Sequence, residues 1–270
     1  MNHPQIAVFA RLAKENTPYL RSIEGQKALL GRTMHDFAFD AIHDEIVVTS
    51  PLAQAILTFR GGADGEEAPI RVIQGNKTGL FGSGAMDKVN IDAEHNEIYI
   101  TTPMQEIRVF AREANGNVPP IRILSGPDTQ LQTGQANVGL AAGKGGGSPS
   151  VRVDPINNLL LVPQARGGAI LVFDRTASGN TKPRAIMRGA SIGAIFAPKR
   201  RLIGHTKGNL EIWSIPDHGE VSEPIMRIPA PLEPRATNGG IALDPLHKEV
   251  ILATAAGNTI VTFSVPEAFD

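Results

Sequence analysis

Four side chains able to hold a metal or pass a proton fall within six positions of the stretch DAEHNE: Asp92, Glu94, His95 and Glu97. Carboxylate oxygens suit hard divalent cations, and a carboxylate beside a histidine is a pairing used in general acid–base chemistry. The rest of the chain gives these residues a different reading. Asp40, Asp92, Asp154 and Asp244 recur in FAFDAIHDEIVV, VNIDAEHNEIYI, VRVDPINNLLLV and IALDPLHKEVIL, with His43, His95, Asn157 and His247 three residues later. A fifth copy, IFAPKRRLIG, replaces the pattern. A catalytic or metal site needs one special copy, whereas nearly every copy carries these residues. Asp, Asn and Pro bond locally or preset φ, so the pattern predicts a tight hairpin.

Other groups with chemical potential lie around the same repeat. The stretch GLAAGKGGGS fails as a phosphate loop, since three residues separate Gly139 from Gly143 and Gly145 follows Lys144. GLFGSG lacks the dinucleotide-binding order, and no GxSxG is present, although a Ser-His-Asp triad is assembled in space and needs no local motif. With no cysteine there is no disulfide, thiolate nucleophile or Cys-ligated zinc.

The elements that position these groups follow from a second register. IAVFAR, ILTFRG, IRVFAR, ILVFDR, LEIWSI and IVTFSV place Phe9, Phe59, Phe110, Phe173, Trp213 and Phe263 in one slot, at intervals of about 40 to 63 residues. Twelve residues further on come Arg21, Arg71 and Arg122, with Ala185 and Arg227 in the corresponding stretches of later copies. The segments are short, β-branched and broken by Gly, Pro, Asn and Asp, as strands are. The pattern predicts an all-β propeller of four-stranded blades, whose strands we call a to d, filling residues 1–270 as one domain. The repeats run at approximately 1–25 (partial), 35–75, 87–126, 149–189, 192–230 and 239–265. Neighbouring blades bury one another's apolar faces, so the aromatic slot, Trp213 included, is expected in the core.

The spelling QEIRVFAREANGNVPPIRILSG, with VNIDAEHNEIYI before it, resembles bacterial NHL/YncE-like β-propeller proteins of the six-bladed TolB/NHL-like class. The resemblance runs over nearly the whole chain and implies fold more than function, because such proteins include binding modules and scattered enzymes. Strand a is expected five times, b five, c six and d five. Either residues 19–24 close the ring beside 259–265, or a six-bladed parent has lost its first two strands. The resemblance implies a secreted or periplasmic parent, while the first residues show no export signal.

Projected on the repeat, the mouth of the channel draws His35, Asp36, Asp87, Lys88 and Arg152 from the starts of the a strands. Gln54, Gln105, Arg166, His205 and Lys207 come from the b-to-c side, and Arg235 and Asn238 precede the last copy. Lys88, Arg152, Arg166 and Lys207 form a candidate anion site. His205 breaks a repeat that otherwise reads Thr49, Thr101, Pro163 and Thr254. Two long d-to-a connections, 74–88 and 126–150, are either binding loops or flexible segments, and the Gly/Ser tract 143–148 favours flexibility over a formed site.

The preferred reading is a non-catalytic propeller that presents loops to a small molecule, glycan or protein partner, with no cofactor. The alternative is a hydrolase or lactonase holding a divalent cation on oxygen ligands, with Asp36, Asp87 and Asn238 as donors. A formal net charge of −1 and the lack of an aromatic-basic stripe argue against nucleic acid, and no apolar run reaches bilayer-spanning length.

Overall fold

A computed structural model describes residues 4–31, 34, 36–80, 88–102, 106–131, 150–164, 168–206, 208–232, 238–254 and 259–270, with backbone only at 238 and 239. The strands form two compact units, one built from residues 1–125 with 135–151 and the other from 126–134 with 152–270. Repeating strands and short turns account for almost all of the described chain, with only single turns of 3₁₀ helix between them.

In the first unit β1 (Gln5–Val8) and β2 (Arg21–Glu24) make a two-stranded ribbon. The first blade is β3 (Phe37–Asp40), β4 (Glu45–Ser50), β5 (Ala55–Arg60) and β6 (Arg71–Gln74); the second is β7 (Val89–Asp92), β8 (Glu97–Thr101), β9 (Ile107–Ala111) and β10 (Arg122–Leu124). Each is an antiparallel meander whose register keeps one row of side chains on one face.

The second unit holds three blades. The third is β11 (Arg152–Asp154), β12 (Leu159–Pro163), β13 (Ala169–Asp174) and β14 (Ala185–Arg188). The fourth is β15 (Ala194–Phe196), β16 (Arg201–Thr206) and β17 (Asn209–Ser214), then β18 (Gly219–Val221), which pairs in parallel with β14, and β19 (Met226–Pro229), which returns to β17. The fifth is a three-strand meander of β20 (Asn238–Asp244), β21 (Glu249–Thr254) and β22 (Thr259–Ser264). Among the described residues the strand tally of five a, five b, six c and five d agrees with the repeat, with β18 beyond it. In the ribbon Arg21–Glu24 lies antiparallel against Gln5–Val8.

Apolar faces meet blade to blade. Ala38, Val47, Ile56 and Ile73 of the first blade pack on Val89, Ile98, Ile100 and Phe110 of the second. Leu159, Leu161, Ile170 and Met187 of the third pack on Leu202 and Trp213 of the fourth. Ile203, Leu210 and Ile212 of the fourth pack on Val250 and Leu252 of the fifth. Phe59, Phe110, Phe173 and Trp213 are buried, but Phe9 is 43% exposed because the ribbon beside it is only two strands wide.

A second device couples neighbours. The c-to-d loop of one blade lies along the d strand of the preceding sheet: Gly65 bridges Ile23, Gly116 bridges Ile73, and β18 bridges β14. Asn117 Oδ1 then accepts from Lys77 N at 2.8 Å and Asn180 Oδ1 from Asp128 N at 2.7 Å. Gly75 and Gly126 sit under those amides at φ +128 and +126, where a Cβ would overlap the Asn117 or Asn180 side chain. The Gly-Asn of NGNVPP is therefore a clamp between the first and second blades, and that of SGNTKP makes the same bond to the segment that begins at Gly126.

Candidate functional site

The recurring acid–histidine pairs are built into the a-to-b turns. Asp40 Oδ1 accepts from Ile42 N and His43 N, and its Oδ2 accepts from His43 Nδ1 at 2.8 Å. Asp92 with His95 and Asp244 with His247 repeat this arrangement, and Asn157 reproduces it on Asp154 through its amide nitrogen. Asp40, Asp92 and Asp154 are fully buried beneath these bonds. Each pair therefore closes a hairpin, and an amide does the same work as an imidazole. Glu97, the remaining acid of the opening stretch, accepts from both arms of Arg122 and from the Tyr99 hydroxyl. Among the described residues no group of three or more His, Cys, Asp or Glu side chains stands together as a metal site requires.

The mouth residues divide. Asp36 accepts from Phe37 N and, at 3.3 Å, from Val89 N, tying the first a strand to the next. Arg152 donates through Nε to Gly193 O at 2.8 Å, the same kind of tie between the third and fourth blades. His205 is only 8% exposed and donates through Nε2 to Ala230 O at 2.9 Å. Three of the predicted ligands thus hold backbone. Lys88 is half-buried just before β7, and Asn238 begins β20. His35, Asp87, Gln105, Arg166, Lys207 and Arg235, with most of 126–150, lie outside the described residues, as does 81–87 within the other long connection.

The buried charges are bridged both within blades and, at Arg112, between them. Glu45, first residue of β4, accepts from Arg71 and from Arg112 Nη1 of the second blade at 2.9 Å. Burial raises the Glu45 pKa, but the hydrogen bonds and charges of Arg71 and Arg112 outweigh it and hold the carboxyl below its ordinary value. Arg122 is held above its ordinary value chiefly by its hydrogen bonds to Glu97.

What the blade pattern leaves uncovered is apolar. Val89 and Ile91 face the preceding sheet and pack against it, yet Phe37 and Phe39, in the same slots of β3, are 55% and 53% exposed. The ribbon offers only Ile6 and Ile23 to the first blade, which cover Ile46, Val48, Leu57 and Phe59 and stop short of β3. In the fifth blade, Ile260 occupies the c-strand slot of Ile56, Ile107, Ile170 and Leu210. All four of those are at most 1% exposed, whereas Ile260 is 63% exposed. These two surfaces had a sequence signal, since the repeat assigns each position a blade-facing slot; finding them takes knowledge of which blade lacks a neighbour.

No family model and no curated protein sequence matches the chain. Among solved structures it is similar to a chain in the crystal structure of a mitotic checkpoint complex, with a TM-score of 0.56 at 15% identity, over 92% of this chain and 65% of that one. The chain thus spans about two thirds of the length of that neighbour. At this identity the likeness speaks for fold alone. With the repeating sheets it makes the chain an all-β repeat protein of the β-propeller fold, with five blades.

Proposed function

We propose that the chain is a non-catalytic interaction propeller that receives a protein partner on apolar surface left open by its blades. The observation that carries this reading is the exposed pair Phe37 and Phe39, two aromatic side chains on one face of a strand whose counterparts are covered. Contiguous exposed apolar surface marks contact sites, and aromatic residues are enriched in them. The similarity to a component of a protein assembly adds support. Membership of the NHL/YncE-like group, and descent from a six-bladed parent, belong to the same proposal. The ribbon β1–β2 carries the c and d signatures of a further unit, with Ile6 in the slot of Ile56.

The test places a photo-crosslinker at the pair (Phe39→benzoylphenylalanine) in the full chain in its host. One defined adduct is expected, lost in the Phe37→Ser/Phe39→Ser variant while its melting temperature stays within a few degrees of the parent. A lactone- or ester-hydrolysing activity that EDTA abolishes together with a fall in melting temperature would instead establish the divalent-metal hydrolase.

A further inference from the structure

The clamp between the first two blades is built on an Asn-Gly pair, Asn115 and Gly116, in the loop from β9 to β10. Such a pair carries its own chemistry, because a following residue without Cβ lets its backbone nitrogen reach the asparagine side-chain amide. The fold holds the groups that this reaction needs. Asn115 Oδ1 accepts from Val72 N at 3.0 Å, and Gly116 N, the nucleophile, donates to Val72 O at 2.7 Å. Gly116 O accepts from Gln74 N at 3.1 Å, and Asn117 Oδ1 from Lys77 N completes the clamp. Asn115, Gly116 and Asn117 are exposed, so water has access. The corresponding loop of the first blade carries a carboxylate in the slot of Asn115. There Asp64 Oδ1 accepts from Ser22 N at 3.1 Å while Gly65 N donates to Ser22 O at 2.7 Å.

We propose that Asn115 is a self-modification site, a deamidation site gated by this clamp. When the clamp opens locally, Gly116 N loses its proton to solvent and attacks Asn115 Cγ. The side-chain nitrogen leaves as ammonia, and a five-membered succinimide closes. Water then adds to one of the two ring carbonyls and breaks its bond to Gly116 N. Breaking the bond to Cγ gives aspartate on an unchanged backbone. Breaking the bond to the main-chain carbonyl gives the isoaspartyl form, whose backbone runs through the former side chain. The aspartate keeps an acceptor for Val72 N, as Asp64 does for Ser22 N. The isoaspartyl form adds a methylene to the main chain, moves Gly116 out of register with Val72 and unlocks the seam.

The test incubates the full chain and the free peptide EANGNVPPIR, its own residues 113–122, in the same mildly alkaline buffer. Mass spectrometry of the tryptic peptide 113–122 follows the mass gain from amide to acid. The folded chain is expected to deamidate at least tenfold more slowly than the peptide. Asn117→Ala, which removes one bond of the clamp, should speed the reaction at least threefold. Asp92→Ala, which weakens a turn of the same blade away from the clamp, should leave the rate within twofold of the parent. Amide exchange gives the second measurement. Val72, Gln74 and Lys77 should exchange at least tenfold faster in the purified isoaspartyl form, and at the parental rate in Asn115→Asp. Equal rates in chain and peptide would overturn the proposal, since the clamp would then gate nothing. So would equal acceleration by Asn117→Ala and Asp92→Ala, which would mean that opening is global, or parental exchange in the isoaspartyl form.

Discussion

Arg112 of the second blade donates to Glu45 of the first at 2.9 Å, with both side chains more than nine-tenths buried. Blade-to-blade contact in this unit is thus an ionic bridge set into an apolar seam. Removing one partner of a buried pair strands the other charge and costs about 3 kcal/mol or more. Glu45→Ala should therefore lower unfolding stability by about 3 kcal/mol in urea titrations.

The same bridge sets an acid limit. Because the Glu45 carboxyl is held below its unfolded value, the stability it contributes is complete above the ordinary glutamate pKa of about 4.3 and disappears as pH falls through the lowered folded value. Stability should fall in that window with a slope of up to about 1.4 kcal/mol per pH unit from this proton. Glu45→Gln should flatten the slope, as measured by urea midpoints between pH 3 and 5.

The third blade already contains the experiment on the second. Glu97, Tyr99 and Arg122 are joined by hydrogen bonds, and Leu159, Leu161 and Ala185 fill the same three slots in the third blade, all buried. Arg122 Nε is buried with no acceptor among the described residues, so the polar version is imperfectly satisfied. Arg122→Ala should cost about 3 kcal/mol, whereas the triple substitution Glu97→Leu/Tyr99→Leu/Arg122→Ala should return to within about 1 kcal/mol of the parent. Thermal and urea unfolding of the parent and the two variants would decide it.

At the hairpins, His95→Asn should change stability by less than about 0.5 kcal/mol, since Asn157 makes the same bond to Asp154. Asp92→Ala, which removes the acceptor of the His95 backbone and ring nitrogens, should cost about 1–2 kcal/mol. If His95→Asn destroyed a function while leaving the fold intact, the turn reading would fail.

The clamp is testable at Asn117. Its replacement by Ala should cost about 1 kcal/mol by leaving Lys77 N without its side-chain acceptor. Gly75→Ala should cost more, because it adds a left-handed φ to the loss of space under Asn117.

The fold was legible because its determinants are local and repeated: the Asp and His spacing, the aromatic slot and the Arg of the last strand each report one blade. The role of Asn117 and Asn180 was not legible, since their partners lie 40 and 52 residues away. His205 breaks the repeat and bonds Ala230 O, a contact that sequence spacing does not reveal. Phe37 and Phe39 read as ordinary apolar strand residues, and only the narrowness of the ribbon beside them makes them surface.

Hydroxyl-radical footprinting of the isolated full chain tests the account most directly. Phe37, Phe39 and Ile260 should be oxidised at least tenfold faster than the covered counterparts Val89 and Ile56. Protection of all three to the level of those counterparts would mean the chain already covers these surfaces itself, leaving no open face for a partner.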